Sequence, residues 1–135
     1  MARHDERSDA RERALTLLYE AHSKGIDPAA TIPLQVIEPD QMTCDLVTGV
    51  GRHVDRIDVL IRAKSQGWSI ERMPVLDLTI MRLGVFELLE RPSVPTAVVL
   101  DEAVGLAKRF STDNSGRFVN GVLAAIATEV RPPTT

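Results

Sequence analysis

Apolar residues recur along this chain at helical spacing, in blocks separated by proline and glycine. Ala10, Ala14, Leu17, Leu18 and Ala21 fall three or four apart and predict the buried stripe of a first helix. Asp9 followed by Glu12 reads as a capping box at its start. Gly25, then Asp27-Pro28, ends it, and Pro28, Pro33 and Pro39 leave residues 25 to 40 as a loop with at most a short helix inside. After Asp40, a cap, Leu46, Val50, Val54, Ile57 and Ile61 line one face of a helix of about 24 residues. Gly49 and Gly51 lie inside that helix and would each cost ~1 kcal/mol against alanine. A closely approaching neighbour is the expected compensation, a kink the other.

Ser69 is expected to cap a short turn containing Glu71, with Pro74 opening the next segment at a tolerated early position. Residues 75 to 90 are apolar on nearly every side, from Leu76 to Leu89, which predicts a central helix buried all round. Arg91-Pro92-Ser93-Val94-Pro95 is a turn, and Thr96 caps a helix whose inner stripe is Val99, Ala103, Ala107 and Phe110. A polar loop follows from Ser111 to Gly116. The last helix, from about Ser115 to Thr128, turns Val119, Val122, Leu123 and Ile126 inward and ends before Pro132-Pro133. Within it Asn120 reads as a structural hydrogen-bonder and Gly121 as a close-packing site. The predicted organisation is a flexible arm over residues 1–8, one all-α domain over 9–130 and a disordered tail over 131–135.

Composition sharpens this. Of 135 residues only 4% are aromatic, so the core is aliphatic, which favours helix on helix over a sandwich of sheets. The lone Cys44 lies on an apolar stretch and reads as a small buried hydrophobe. There is no signal peptide and no apolar run long enough to span a membrane, so a cytoplasmic, unanchored protein is expected. His4, His22 and His53 are scattered without ligand-spaced carboxylates, and His53 reads as a surface side chain. No phosphate-cradling glycine loop and no nucleophile motif is present. No enzyme activity, metal or cofactor is expected. Nothing in a net charge of -3 points to a generic polyanion binder, so any RNA is expected to be held by a local patch, helped by a partner.

Three segments in order then carry a resemblance: Ala10-Arg11-Glu12-Arg13-Ala14-Leu15-Thr16-Leu17-Leu18-Tyr19-Glu20, the central Leu76–Leu89 block with Arg82 and Glu87 among its apolar residues, and Val94-Pro95 with Asp101–Phe110 and Arg117-Phe118-Val119-Asn120-Gly121-Val122-Leu123. Together they resemble the NusB transcription antitermination family from about residue 7 to 127, least so over 26 to 40. The resemblance implies two perpendicular helical bundles. It also implies binding of boxA-type single-stranded RNA of ribosomal RNA operon transcripts, jointly with the ribosomal protein NusE, in an RNA polymerase antitermination complex.

Single-stranded RNA is held by cations that follow its phosphates and by flat side chains on which unstacked bases rest. By the resemblance, Arg7 and Arg11 match the arginine-bearing start of the first helix, with Arg3 in the arm ahead of them. Ser8 and Asp9 interrupt that run, and over residues 1 to 13 arginines and acids balance. The stretch from 104 to 118 is better supplied: Lys108, Arg109 and Arg117 face only Asp113. Arg117 and Phe118, expected in the first turn of the last helix, match family positions at the RNA surface, as a phosphate contact and a stacking ring. Core packing is the alternative for Phe118. Asn114 and Ser115 are candidates for reading base edges, with helix capping the alternative for Ser115. Arg82 matches a position near RNA, against an internal ion pair. Tyr19, Glu71 and Asp77 are the side chains the resemblance places toward NusE. Two other readings stay open. One is a helical adaptor or homodimer without RNA, since dimerisation in the family can cover the RNA surface. The other is a module like the front domain of RsmB-type ribosomal RNA methyltransferases, although a chain ending at 135 is expected to lack the cofactor-binding domain.

Overall fold

Helix α1 (Glu6–Lys24) starts four residues earlier than its apolar stripe suggests, because Asp5 and not Asp9 is its cap. The Asp5 carboxylate accepts from the Ser8 amide at 2.9 Å, satisfying one of the free donors of the first turn. Gly25 closes the helix in the left-handed region at φ 65°, which costs a residue without Cβ nothing. In this computed structural model, which describes residues 5–132, the chain groups into two compact units, residues 1–52 and 53–135. Helix α2 (Gln41–Lys64) contributes its first half to one and its second half to the other.

In the first unit the proline-bearing stretch contains a 3-10 helix, Pro28–Leu34, which packs on α1. The Pro28 ring sits where a Cβ on Gly51 would meet it at 3.1 Å, so close approach explains that glycine. Cys44 is only half-buried, but burial first, and then Asp45, Asp40 and Glu38, push its thiol up, so the reactive thiolate is disfavoured. Asp40 caps α2 through the Thr43 amide at 2.8 Å. That hydrogen bond is the main reason its carboxyl lies below the ordinary aspartate value of 3.8. A depressed folded pKa means the cap is fully effective above that value and is lost as pH falls through the lower one. Asp40→Ala is therefore expected to cost about 1 kcal/mol at neutral pH. In urea melts the gap to wild type should narrow as pH falls below 3.8; a gap that stays constant through that fall would deny the cap its role.

In the second unit α3 (Val75–Glu90) packs on both α4 (Thr96–Phe110) and α5 (Asp113–Val130), which also pack on each other. As its all-round apolarity predicts, α3 is buried from Asp77 through Leu88, with Arg82 alone partly exposed. Gly84 lets α5 come close: a Cβ there would stand 2.8 Å from a methyl of Leu123. His53 is half-buried, its Nε2 3.2 Å from Glu90 and its ring against Phe86, where a surface side chain is expected. Thr96 is the first residue of α4 and not its cap; Pro95 holds that place, and the Thr96 hydroxyl accepts from Arg131. Phe110 leaves the inner stripe, 42% exposed, with the Arg109 guanidinium 5.4 Å from its ring centre. The turn at 70–72 is a 3-10 helix after Ser69, whose side chain makes no capping bond.

The chain's end departs most from expectation. Arg131, assigned by sequence to a disordered tail, donates to the carbonyls of Glu87, Leu88, Arg91 and Val94 and to the Thr96 hydroxyl. Three of those carbonyls lie at the end of α3, where a helix runs out of amide donors; Glu87 and Arg91 also accept from the amides of Arg91 and Val94, and Leu88 takes its bond from the guanidinium.

Candidate nucleic-acid interface

Helix α2 ends at Lys64, and the chain turns through Ser65-Gln66-Gly67. Ser65 donates its hydroxyl to the Ile61 carbonyl, and the Trp68 amide closes the turn onto the Ser65 carbonyl at 3.1 Å. Gln66 (φ 45°) and Gly67 (φ 90°) both take positive φ, a conformation costing a residue such as Gln66 ~1 kcal/mol. The turn leaves the single tryptophan of the chain, Trp68, 57% exposed.

Opposite it stands α5. Its cap is Thr112, in a reciprocal capping box with Ser115. The helix thus begins at Asp113, and Arg117 and Phe118 fall in its second turn, beyond the free amides of the first. A phosphate at Arg117 would therefore gain little from the helix dipole, whose positive end carries the acid Asp113. Side-chain geometry serves better. Phe118 is half-exposed, its ring centre 6.2 Å from that of Trp68 with 59° between their planes. Arg117 is exposed and pairs with no carboxylate among the described residues.

The two rings divide a pair of grooves. One, of about 340 Å³, runs between the end of α2 and α5, with Lys64, Gln66 and Arg117 as its polar groups. Gly121 lies open on its wall, with nothing within 4 Å of where a Cβ would stand, so it keeps the wall low and packs against no neighbour. Asn120 beside it is exposed, its side chain without a partner among the described residues, where sequence makes it structural. The other groove, of about 310 Å³, is bounded by Arg72, Met73, Pro74, Thr112 and Asn114. Lys64 reaches Glu129 at 3.4 Å, an exposed pair worth little and readily exchanged for a phosphate.

The remaining predicted residues separate. Asn114 is exposed on the second groove. Ser115 is buried and donates to Asp77 at 2.9 Å, so it holds the helix start and reads no base. Asp77, assigned to the NusE side, is only 4% exposed; it accepts from Ser111 at 2.6 Å as well as from Ser115, and does not face a partner. Arg82 is held by Asp58 through two hydrogen bonds of 2.8 Å and is not available to RNA. Arg11 is 3% exposed, because Ser8, Arg11, Leu15 and Leu18 form a second buried row beside the alanine stripe of α1. Arg7 is exposed, and Arg3 lies outside the described residues. Tyr19 and Glu71 are exposed, Glu71 within 3.5 Å of Arg62. Trp68 and Arg72 are what sequence reasoning missed. A bulky aromatic in a polar turn, in a chain so poor in aromatics, is the signal that could have found them.

Among the described residues no helix is long and apolar enough to cross a membrane, and no three His, Cys, Asp or Glu side chains are placed to hold a metal. The sequence matches the NusB family profile over residues 8–128. The chain belongs to the NusB family. It is 44% identical to the transcription antitermination protein NusB of Beutenbergia cavernae, covering 89% of this chain and 88% of that one. With the protein of the same name from Saccharopolyspora erythraea it is 46% identical, over 90% and 86%. Among solved structures it resembles T. maritima NusB with a TM-score of 0.84 and 30% identity, covering 93% of this chain and 92% of that one. The NusB of a crystal structure of antitermination factors NusB and NusE in complex with dsRNA superimposes with a TM-score of 0.78 at 30% identity, over 91% and 96%. The NusB family is one of transcription factors and not of enzymes.

Proposed function

We propose that this chain is a transcription antitermination factor that binds boxA-type single-stranded RNA of ribosomal RNA operon transcripts together with NusE, within an RNA polymerase antitermination complex. The observation that carries the reading is the disposition of Arg117 and Phe118: an unpaired guanidinium and an accessible ring side by side on a groove whose far wall ends in Lys64. Such a groove suits a flexible strand, whose phosphates follow cations while its bases seek rings. Few cations are on offer, which makes the partner's contribution necessary at a net charge of -3. Tyr19 and Glu71 stay as the proposed contacts to NusE.

The test is titration of a labelled boxA-like RNA with and without NusE over a range of salt. Arg117→Ala is expected to weaken binding about 10-fold and to lower the salt slope by about 1. The reading fails if no RNA binds in the presence of NusE at low salt, or if neither salt nor this substitution matters. In that event the helical adaptor or homodimer becomes the better account, since Leu34, Val36 and Ile37 stand exposed together in the first unit.

A further inference from the structure

The tryptophan has no role in the fold that explains where it is. Its indole stays largely in water, and its N–H donates to no described residue. Yet the turn that presents it holds Gln66 at positive φ. Strain retained to expose an apolar ring points to a ligand with a flat apolar surface of its own.

The geometry points to Trp68 as a second stacking residue, which with Phe118 clamps consecutive unstacked bases of a single-stranded RNA while Lys64 and Arg117 take the phosphate between them, and to the groove edged by Arg72 and Asn114 as the pocket for one of those bases. This deepens the RNA-binding reading above and rests on it. Three features agree. The rings are tilted by 59°, so they do not stack on each other, and each borders both grooves. The charged side chains edging the grooves are Lys64, Arg72 and Arg117, while the one acid there, Asp77, is buried and already accepting two hydroxyls. In the second groove Met73 and Pro74 give an apolar floor, and Asn114 places both a donor and an acceptor at the rim, which is what recognition of a base edge requires. A duplex would not fill this arrangement, because its bases are already stacked on one another. An acidic peptide would meet the cations and leave both rings idle.

The experiment uses the full chain with NusE and a fluorescein-labelled, boxA-like single-stranded RNA. Trp68→Ala is expected to weaken binding about 10-fold with the salt slope unchanged, and Trp68→Phe to stay within about 3-fold of wild type. An abasic scan of the RNA should find one position whose loss costs wild type about as much as Trp68→Ala and costs the variant nothing further. A mere folding defect would not give that pattern. With NusE present at low salt, RNA should quench the fluorescence of the chain's single tryptophan, a signal that Trp68→Phe should lose. If Trp68→Ala binds within twofold of wild type while Arg117→Ala is weakened, the clamp is wrong and the RNA reading stands. Should Trp68→Ala lower affinity for NusE without RNA, the ring is a protein contact and the clamp is again wrong. If wild type binds no RNA under any of these conditions, both readings fall together.

Discussion

Arg131→Ala is expected to lower the thermal midpoint by about 10–15 °C, a loss near 3 kcal/mol. One guanidinium donates to four carbonyls and a hydroxyl drawn from the end of α3, the turn after it and the start of α4. Removing it takes the side-chain donor from the Leu88 carbonyl, at the end of a helix buried on nearly all sides, and from that of Val94, while Glu87 and Arg91 keep the backbone amides of Arg91 and Val94. Hydrogen bonds from a charged donor contribute ~1.5–3 kcal/mol each when considered singly, and five on one group add to less than their sum. The positive charge also lies at the negative end of the α3 dipole. Arg131→Lys keeps that charge but not the fork, so it should recover less than half of the loss. Urea melts followed by circular dichroism would show this; a variant within 2–3 °C of wild type (about 0.5 kcal/mol) would mean that water replaces the guanidinium without cost.

Arg131 also shows where a sequence reading ends. Helices and their inner faces follow from spacing: Ala14, Leu17, Ile57, Ile61, Val119, Val122 and Ile126 are all buried as their periodicity requires. Polar residues carry no such signal. Arg11, Asp77 and Arg82 sit among apolar neighbours and are matched to binding surfaces by resemblance, and Ser115 reads as a loop residue open to a base, yet each is turned inward or paired. A charge within an apolar run is compatible with a surface stripe or with a buried pair, and the partner that decides lies far along the chain: 24 residues from Arg82 to Asp58, 38 from Ser115 to Asp77. Arg131 was missed for the same reason, its acceptors being 35 to 44 residues away. Trp68 was missed for a different one. It belongs to no periodic element, so a search guided by stripes passes over it. Arg117 and Phe118 were found because the resemblance named them, and the groove around them came only with the fold.

Asp77→Ala is expected to destabilise the second unit by about 2 kcal/mol and to weaken RNA binding about 5-fold with no change in salt slope. The carboxylate, in the first turn of α3, accepts from Ser111 at the end of α4 and from Ser115 in the first turn of α5. It therefore ties three helix ends at the floor of the Arg72–Asn114 groove, and through Ser115 fixes the turn of α5 that precedes Phe118. Loss of the acceptor leaves the hydroxyls of Ser111, Thr112 and Ser115 bonded only to one another and to the capping-box amides, so the helix start loosens while its capping box persists. The sign of the RNA effect separates two accounts. If Asp77 acted only as a nearby negative charge, removing it would tighten binding to a polyanion, and Asp77→Asn would tighten it equally. If it acts by position, both substitutions weaken binding, and Asp77→Asn, which retains one oxygen to accept from a serine, does so less. Unchanged binding by both variants would leave Asp77 a purely structural group, and tighter binding a mere nearby charge; either outcome would detach the second groove from its support.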